Sequence, residues 1–310
     1  MKKNIFFNEL AQCSICPRNC KADRYSNKLG YCRSDAGFNI ASICNHRGEE
    51  PLISGSFGIC NVFFAKCNMQ CVYCQNYQIS SNNCNLSCDK RDLEEIAATI
   101  IRILDESKSN MLGFVSPSHC IPQMKIIINE LNQSGYHPTI VYNSNGYDKK
   151  ESIEDMEEYI DVYLPDLKYI DEKTSLKYSG CGDYFKHAKK AIKEMYRQKG
   201  ALVRISDNGY AENGLIIRHL VIPGLVQNSL DIIRFIAEEI STNIHLSLMS
   251  QYYPPRPLND YPEIDRTLYE REYMQVLEEL DKYGFSNGWI QELSSSYNYR
   301  PEFEHEHPFE

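Results

Sequence analysis

Cys67, Cys71 and Cys74 stand in the string CNMQCVYCQN, with three residues between the first pair and two between the second. Four thiolates close a zinc ion or an iron–sulfur cluster into a structural or electron-transfer centre. Three closely spaced thiolates in one loop hold three irons of a cubane and leave the fourth iron open to a substrate or cofactor. Zinc knuckles and ferredoxin loops usually carry C-x2-C pairs instead. A second set, Cys13, Cys16, Cys20 and Cys32, reads C-x2-C-x3-C-x11-C, with Pro17 and Gly30 shaping the turns. Its four ligands suit zinc or a second iron–sulfur cluster better than four free thiols, with Cys44 and His46 as extra or substitute ligands. Cys84 and Cys88 follow the three-cysteine loop as auxiliary ligands or free thiols, whereas the isolated Cys120 and Cys181 read as packing residues.

These residues need elements to hold them. Apolar runs predict strands at 61–65, 112–116, 139–143, 161–165, 215–222 and 244–249. Amphipathic stretches predict helices at 92–107, 121–133, 183–199, 229–241 and 264–283. In 92–107 the stripe is Leu93, Ile96, Ala97, Ile100, Ile101 and Leu104, opened by Asp92 and Glu95 as a capping box. Six strand–helix units imply a parallel sheet with right-handed crossovers. The expected fold is therefore α/β, a partial (β/α)6 TIM-type barrel with a cysteine-rich N-terminal cap. The division expected is a cap at 1–55, a barrel at 56–290 and a C-terminal extension at 291–310.

Parallel α/β proteins build their sites at the carboxyl ends of the strands. Reading those ends in order gives the cysteine loop, then Ser116-Pro117-Ser118-His119, Asn143-Ser144-Asn145-Gly146, Asp166-Leu167-Lys168, Arg218-His219, and Met249-Ser250-Gln251. Arg218 and His219 must point to opposite faces of their strand, so only one of them meets the cavity.

The 310 residues are 42% apolar and 24% charged, an ordinary globular composition, and no run reaches the length of a membrane span. A net charge of −9 argues against a broad nucleic-acid footprint. The start MKKNIFFNEL lacks the apolar core of a signal peptide, and thirteen cysteines, an odd total, do not read as a secreted disulfide framework. A cytoplasmic protein is expected. The string EHEHPFE reads as a solvated end.

C-x3-C-x2-C after a first strand, with Tyr73 just before the last cysteine, resembles the signature of the radical S-adenosylmethionine (SAM) superfamily. The resemblance implies a [4Fe–4S] cluster on Cys67, Cys71 and Cys74 whose open iron chelates SAM. One electron then splits SAM into methionine and a 5′-deoxyadenosyl radical. It implies the same open six-unit barrel, and a reductant such as flavodoxin or ferredoxin. Ser116, Ser118 and His119 stand where the superfamily often has Gly-Gly-Glu holding the SAM amino group. The Asn143–Asn145 and Asp166–Lys168 segments are similar to those of glycyl-radical activating enzymes, where they surround SAM's methionine end and a monovalent cation. Asn143 replaces an aspartate of that pattern. Arg218 in LIIRHLVIPG matches a further motif, Tyr73 is expected beside the adenine, and Met249 and Gln251 beside the adenosyl group. With CPRNC, GEEPLISG, VYNSNGYD, DVYLPDLKY and IKEMYRQ, the chain resembles the pyruvate formate-lyase activating enzyme-like subfamily. Cys60 departs from it, at a position where glycine or serine is expected. The resemblance favours a protein or peptide substrate. Radical modification of a small molecule, and a non-enzymatic iron–sulfur electron carrier, are the alternatives.

Overall fold

The structure, a computed structural model, describes residues 7–26, 28–83, 91–297, 300–305 and 308–309. Nine strands occur among them: β1 (Ile40–His46), β2 (Ile59–Phe64), β3 (Met111–Val115), β4 (Thr139–Ser144), β5 (Val162–Pro165), β6 (Arg204–Ile205), β7 (Ala211–Leu220), β8 (His245–Met249) and β9 (Gly288–Ile290). The sheet runs β1-β2-β3-β4-β5-β7-β8-β9, with β6 paired antiparallel to β7 outside that path. From β2 to β9 every pairing on the path is parallel, while β1 joins β2 antiparallel. This is the α/β partial barrel, mostly parallel, that the alternating pattern implied. Strands such as β2 and β3 are buried at every position, as expected where helices cover one face and the core fills the other.

Three strands escaped the sequence reading, among them the two-residue β6. β1 lies within the Gly- and Cys-bearing cap and alternates only weakly in burial; β9 is three residues long. The open barrel thus has a seventh parallel strand, and the cap contributes an edge strand to the same sheet. The last helix is shorter than expected, Glu270–Tyr283, because Arg266 and the backbone N–H of Tyr269 bond Glu272 and set the helix start there. The polar helix Glu172–Ser179, capped by Asp171, has little apolar periodicity and was also missed.

Helix Leu93–Ser107 carries the capping box: Asp92 accepts from the Glu95 backbone at 3.0 Å, and Glu95 accepts from the Asp92 backbone at 3.3 Å. Its buried stripe includes Ile103 where Ile101 was expected. Beneath the barrel, Ile53 of the short helix Pro51–Ser54 packs with Ile59, Met111, Val162 and Ile216, near the amino ends of the strands, and closes that end. The cap leans on the barrel: Phe7, Leu10 and Cys13 pack against Ile126, and Gln123 donates to the Ala36 carbonyl at 3.1 Å. Among the described residues no helix is long and apolar enough to cross a membrane.

Candidate active site

The carboxyl ends of the strands open onto one cavity of about 470 Å³, within the ~300–1,000 Å³ range of small-molecule sites. Cys67, Cys71 and Cys74 form one side of it. Phe63, Val115, Asn143, Asp166, Arg218 and Met249 mark the strands that converge there. Of the sequence candidates, Tyr73, Ser116, Asn145, Lys168 and Gln251 also line it.

The cysteine loop starts with Lys66 at φ 67°, where the chain leaves β2. Each of the three sulfurs has a polar neighbour. The Met69 backbone and Asn145 Nδ2 donate to Cys67 Sγ at 3.3 and 3.4 Å, Ser179 donates to Cys71 Sγ at 2.9 Å, and Ser80 Oγ lies 3.1 Å from Cys74 Sγ. Burial pushes the Cys67 thiol up and the Cys71 thiol to about 11, with Lys168 pulling Cys71 the other way. Burial makes these two thiols reluctant acids; a metal centre would hold them as thiolates. The donor set fits an iron–sulfur cluster: three soft sulfurs, hydrogen-bond donors aimed at them, and open space on their far side. Among the described residues no three His, Cys, Asp or Glu side chains are close enough to hold a single ion, and thiolates on different irons of a cubane stand farther apart than ligands of one ion. Tyr73 is buried, its hydroxyl 2.6 Å from that of Tyr169 and its ring 5.8 Å from Tyr252.

Asn145 reaches the loop because the turn after β4 is tight. Gly146 has φ 78°, and a Cβ there would stand 2.2 Å from the Asp166 carbonyl oxygen. Only glycine allows that approach. Asn145 then donates to Asn68 Oδ1 at 2.8 Å as well.

A charged cluster fills the wall opposite. Arg218 Nε donates to Asp166 Oδ1 at 2.9 Å, its Nη2 to Asn143 Oδ1 at 2.6 Å, and its Nη1 to Glu49 Oε2 at 3.2 Å. Lys168 donates to Asp166 Oδ2 at 2.6 Å. Burial pushes the Asp166 carboxyl up, but Arg218 and Lys168 outweigh it and hold the group below the usual carboxylate range. The oxygens expected to hold a monovalent cation are the ones these two side chains occupy.

Three candidates stand elsewhere. Ser118 and His119 do not line the cavity: His119 is buried with Nε2 3.0 Å from the Ala65 carbonyl, in a short 3-10 turn that folds away from the opening. Ser144 is also absent from the cavity wall and holds the turn, donating to Asp148 at 2.7 Å and accepting from Gly146 N at 3.0 Å. Conversely, Glu49, Glu50 and His46 line the cavity and were not assigned to it. Their one signal was two consecutive acids before Pro51.

Cys13, Cys16, Cys20 and Cys32 lie in neighbouring turns of the cap, where Cys13 bridges antiparallel to Ala22, but as they stand they are not close enough together to hold a single ion. Burial raises Cys13, and lifts Cys16 to about 12 with neighbouring Cys32, Cys13 and Cys20 adding to it. A Cβ at Gly30 would stand 2.3 Å from Cys20 Sγ, so glycine there makes room for the sulfur. Cys44 is buried in a separate apolar cluster with Phe63 and Ile79. Cys84 and Cys88 lie outside the described residues. Cys181 is buried and accepts from Arg18 at 2.6 Å, and Cys120 and Cys60 are fully buried.

The model of the Radical SAM superfamily matches residues 61–236. Over 290 residues the chain is 29% identical to an uncharacterized protein of Methanocaldococcus jannaschii, a match covering 91% of this chain and 76% of that protein. Similar solved structures include a domain of pyruvate-formate lyase-activating enzyme from Bacteroides vulgatus (18% identity, TM-score 0.38, 56% of this chain and 93% of that one). Another is Streptococcus suis SuiB bound to S-adenosylmethionine (14% identity, TM-score 0.45, 74% of this chain and 48% of that one).

Proposed function

The chain belongs to the radical SAM superfamily, and from that premise we propose that it cleaves SAM reductively and uses the radical to abstract hydrogen from a protein or peptide. Family membership implies a [4Fe–4S] cluster and SAM, and in this reading Cys67, Cys71 and Cys74 hold the cluster. When bound, that cluster supplies one electron and an open iron for SAM's amino and carboxylate groups.

The observation that carries the reading is the single cavity shared by the three cysteines and the Asp166–Lys168–Arg218 cluster. Asn145, Ser179 and the Met69 backbone orient the sulfurs and favour their charged form. Lys168 adds a nearby positive charge that pulls Cys71 toward thiolate. Arg218 fixes Asp166 and Asn143 in one plane of hydrogen bonds, so their positions are set before a ligand arrives. Phe63, Ile79 and Val115 supply an apolar flank that keeps water from that side. The activating-enzyme-like role rests on the sequence strings alone.

A small-molecule substrate is the second reading. It is favoured by Phe309, which lines the cavity beside His46 at a ring distance of 3.9 Å and narrows the opening.

Anaerobic reconstitution with iron and sulfide, reduction, and addition of SAM should yield 5′-deoxyadenosine and methionine. The Cys67→Ala/Cys71→Ala/Cys74→Ala variant should fall to background. Undiminished cleavage by that variant would remove the assignment. An electron carrier would leave SAM intact and its reduced cluster spectrum unmoved by SAM.

A further inference from the structure

Glu49 and Glu50 form the floor of the cavity, between the strand ends above and the Ile53 plug below. Glu49 is engaged at both oxygens: Asn61 donates to Oε1 at 3.0 Å, Asn143 to Oε1 at 3.3 Å, and Arg218 to Oε2 at 3.2 Å. Glu50 is only 8% exposed, yet its Oε2 has no hydrogen-bond partner among the described residues. His46, 7% exposed on the same wall, presents an unpartnered Nδ1. Leaving buried polar atoms unpaired is costly, the more so for a charged group, so two such atoms in the lining of one cavity point to a ligand that completes them.

The charges say which ligand. Three carboxylates, Glu49, Glu50 and Asp166, face two cationic side chains, Arg218 and Lys168. Both cations bond Asp166, and Arg218 also bonds Glu49. Glu50 has no such pairing. Burial accordingly raises its carboxyl, with Glu49 adding to the effect while Arg218 and Ser247 oppose it. On the same lining, the unpartnered Nδ1 of His46 is placed to accept a hydrogen bond.

We propose that this floor is a substrate subsite for a protonated amine or guanidinium, which pairs with Glu50 Oε2 and donates a second hydrogen bond to His46 Nδ1. The inference rests on the radical SAM reading and adds the class of substrate: one with a cationic nitrogen group at the end of a chain that rises toward the cysteine loop. A peptide side chain and a small amine offer the same chemistry. SAM's own ammonium is the competing source, and the two are separable because SAM's amino-acid end belongs at the cysteine loop rather than the floor.

Trp289 is the only tryptophan of the chain and lines this cavity, so its emission reports on occupancy. The reconstituted holoenzyme would be titrated with n-butylammonium and n-butylguanidinium, with and without SAM, and with n-butanol as the uncharged control. The expected result is a saturable change with either cation that persists with SAM bound. Binding should weaken at least tenfold for butanol and for Glu50→Gln, and by an intermediate amount for Glu50→Asp, which keeps the charge but shortens the reach. Equal binding of butanol, or unchanged cation binding in both variants, would overturn the proposal. One-for-one competition between butylammonium and SAM would give the floor to SAM's ammonium and overturn the substrate assignment. Cleavage of SAM, followed in the same samples, separates the two readings. Cation binding without cleavage removes only the proposed function, and cleavage without cation binding removes only the floor.

Discussion

Neighbouring residues Arg218 and His219 show how much one step along a strand decides. Arg218 faces the cavity and holds Asp166, Asn143 and Glu49. His219 turns outward, 1% exposed, with Nδ1 2.8 Å from the Leu167 carbonyl and Nε2 2.8 Å from Ser229 Oγ. Burial lowers its pKa from 6.5 to about 4. The unfolded chain therefore binds this proton first as pH falls. The stability held above pH 6.5 is lost progressively between pH 6.5 and about 4; at ~1.4 kcal/mol per pH unit the loss is about 3 kcal/mol. His46 titrates in the same window, its pKa also lowered to about 4. His219→Asn should flatten the fall in urea-unfolding free energy over that range, and at neutral pH lose about 1 kcal/mol for an imperfectly matched hydrogen bond. An acid limb as steep as the parent's would mean that His219 is not the group titrating.

At the scale of elements, the cap is a turn-rich segment held by few apolar contacts of its own. Asn19, Lys21 and Arg33 all take positive φ, conformations uncommon outside glycine and, for the two basic residues, unfavourable without tertiary support. Small modules of this kind need a staple. We propose that the four cysteines bind zinc or a second iron–sulfur cluster, which would constrain the cap when they close on it. Metal analysis of the Cys67→Ala/Cys71→Ala/Cys74→Ala protein should still find one zinc, or iron in cubane amounts. Gly30→Ala in that background should lower the content severalfold by displacing Cys20 Sγ. A metal-free protein whose four thiols all titrate as free would end the idea.

Across the whole molecule, the chain after β9 returns to the mouth of the barrel. Phe303 and Phe309 pack on Phe63 at ring distances of 5.2 and 5.7 Å. The Phe303 backbone donates to Gln78 Oε1 at 2.9 Å, and Gln78 in turn donates to Glu302. The tail thereby joins β2 to the short helix Tyr77–Ser80 that follows the cysteine loop. Partial burial of two phenylalanines contributes roughly 2 kcal/mol. Deleting residues 300–310 should lower the melting temperature by about 5 °C and raise acrylamide quenching of Trp289, which shares the cavity with Phe309. Unchanged melting and quenching would show that the tail neither stabilises nor shields the site. A protein substrate predicts that the shortened chain accepts larger peptides, because Phe309 no longer narrows the mouth.

The strand–helix alternation and the cysteine spacing were legible in the sequence because both are local. Burial on two faces forces apolar runs, and a loop of three thiolates needs only short-range spacing. The same local rule placed Asn143, Asn145, Asp166, Lys168 and Arg218 at strand ends, and all five line the cavity. Its failures have two causes. Ser118 and His119 lie in a 3-10 turn, whereas Ser144, the last residue of β4, falls between Asn143 and Asn145, which take the cavity side, and serves its own turn. β1 and β9 carried too little periodicity to be read, since hydrogen bonding to a neighbouring strand, not pattern, makes them strands. The floor was decided by tertiary structure alone. Glu49 meets Asn61, Asn143 and Arg218 because the fold brings the segment before Pro51 against β2, β4 and β7, a contact across strands that no spacing within the chain encodes.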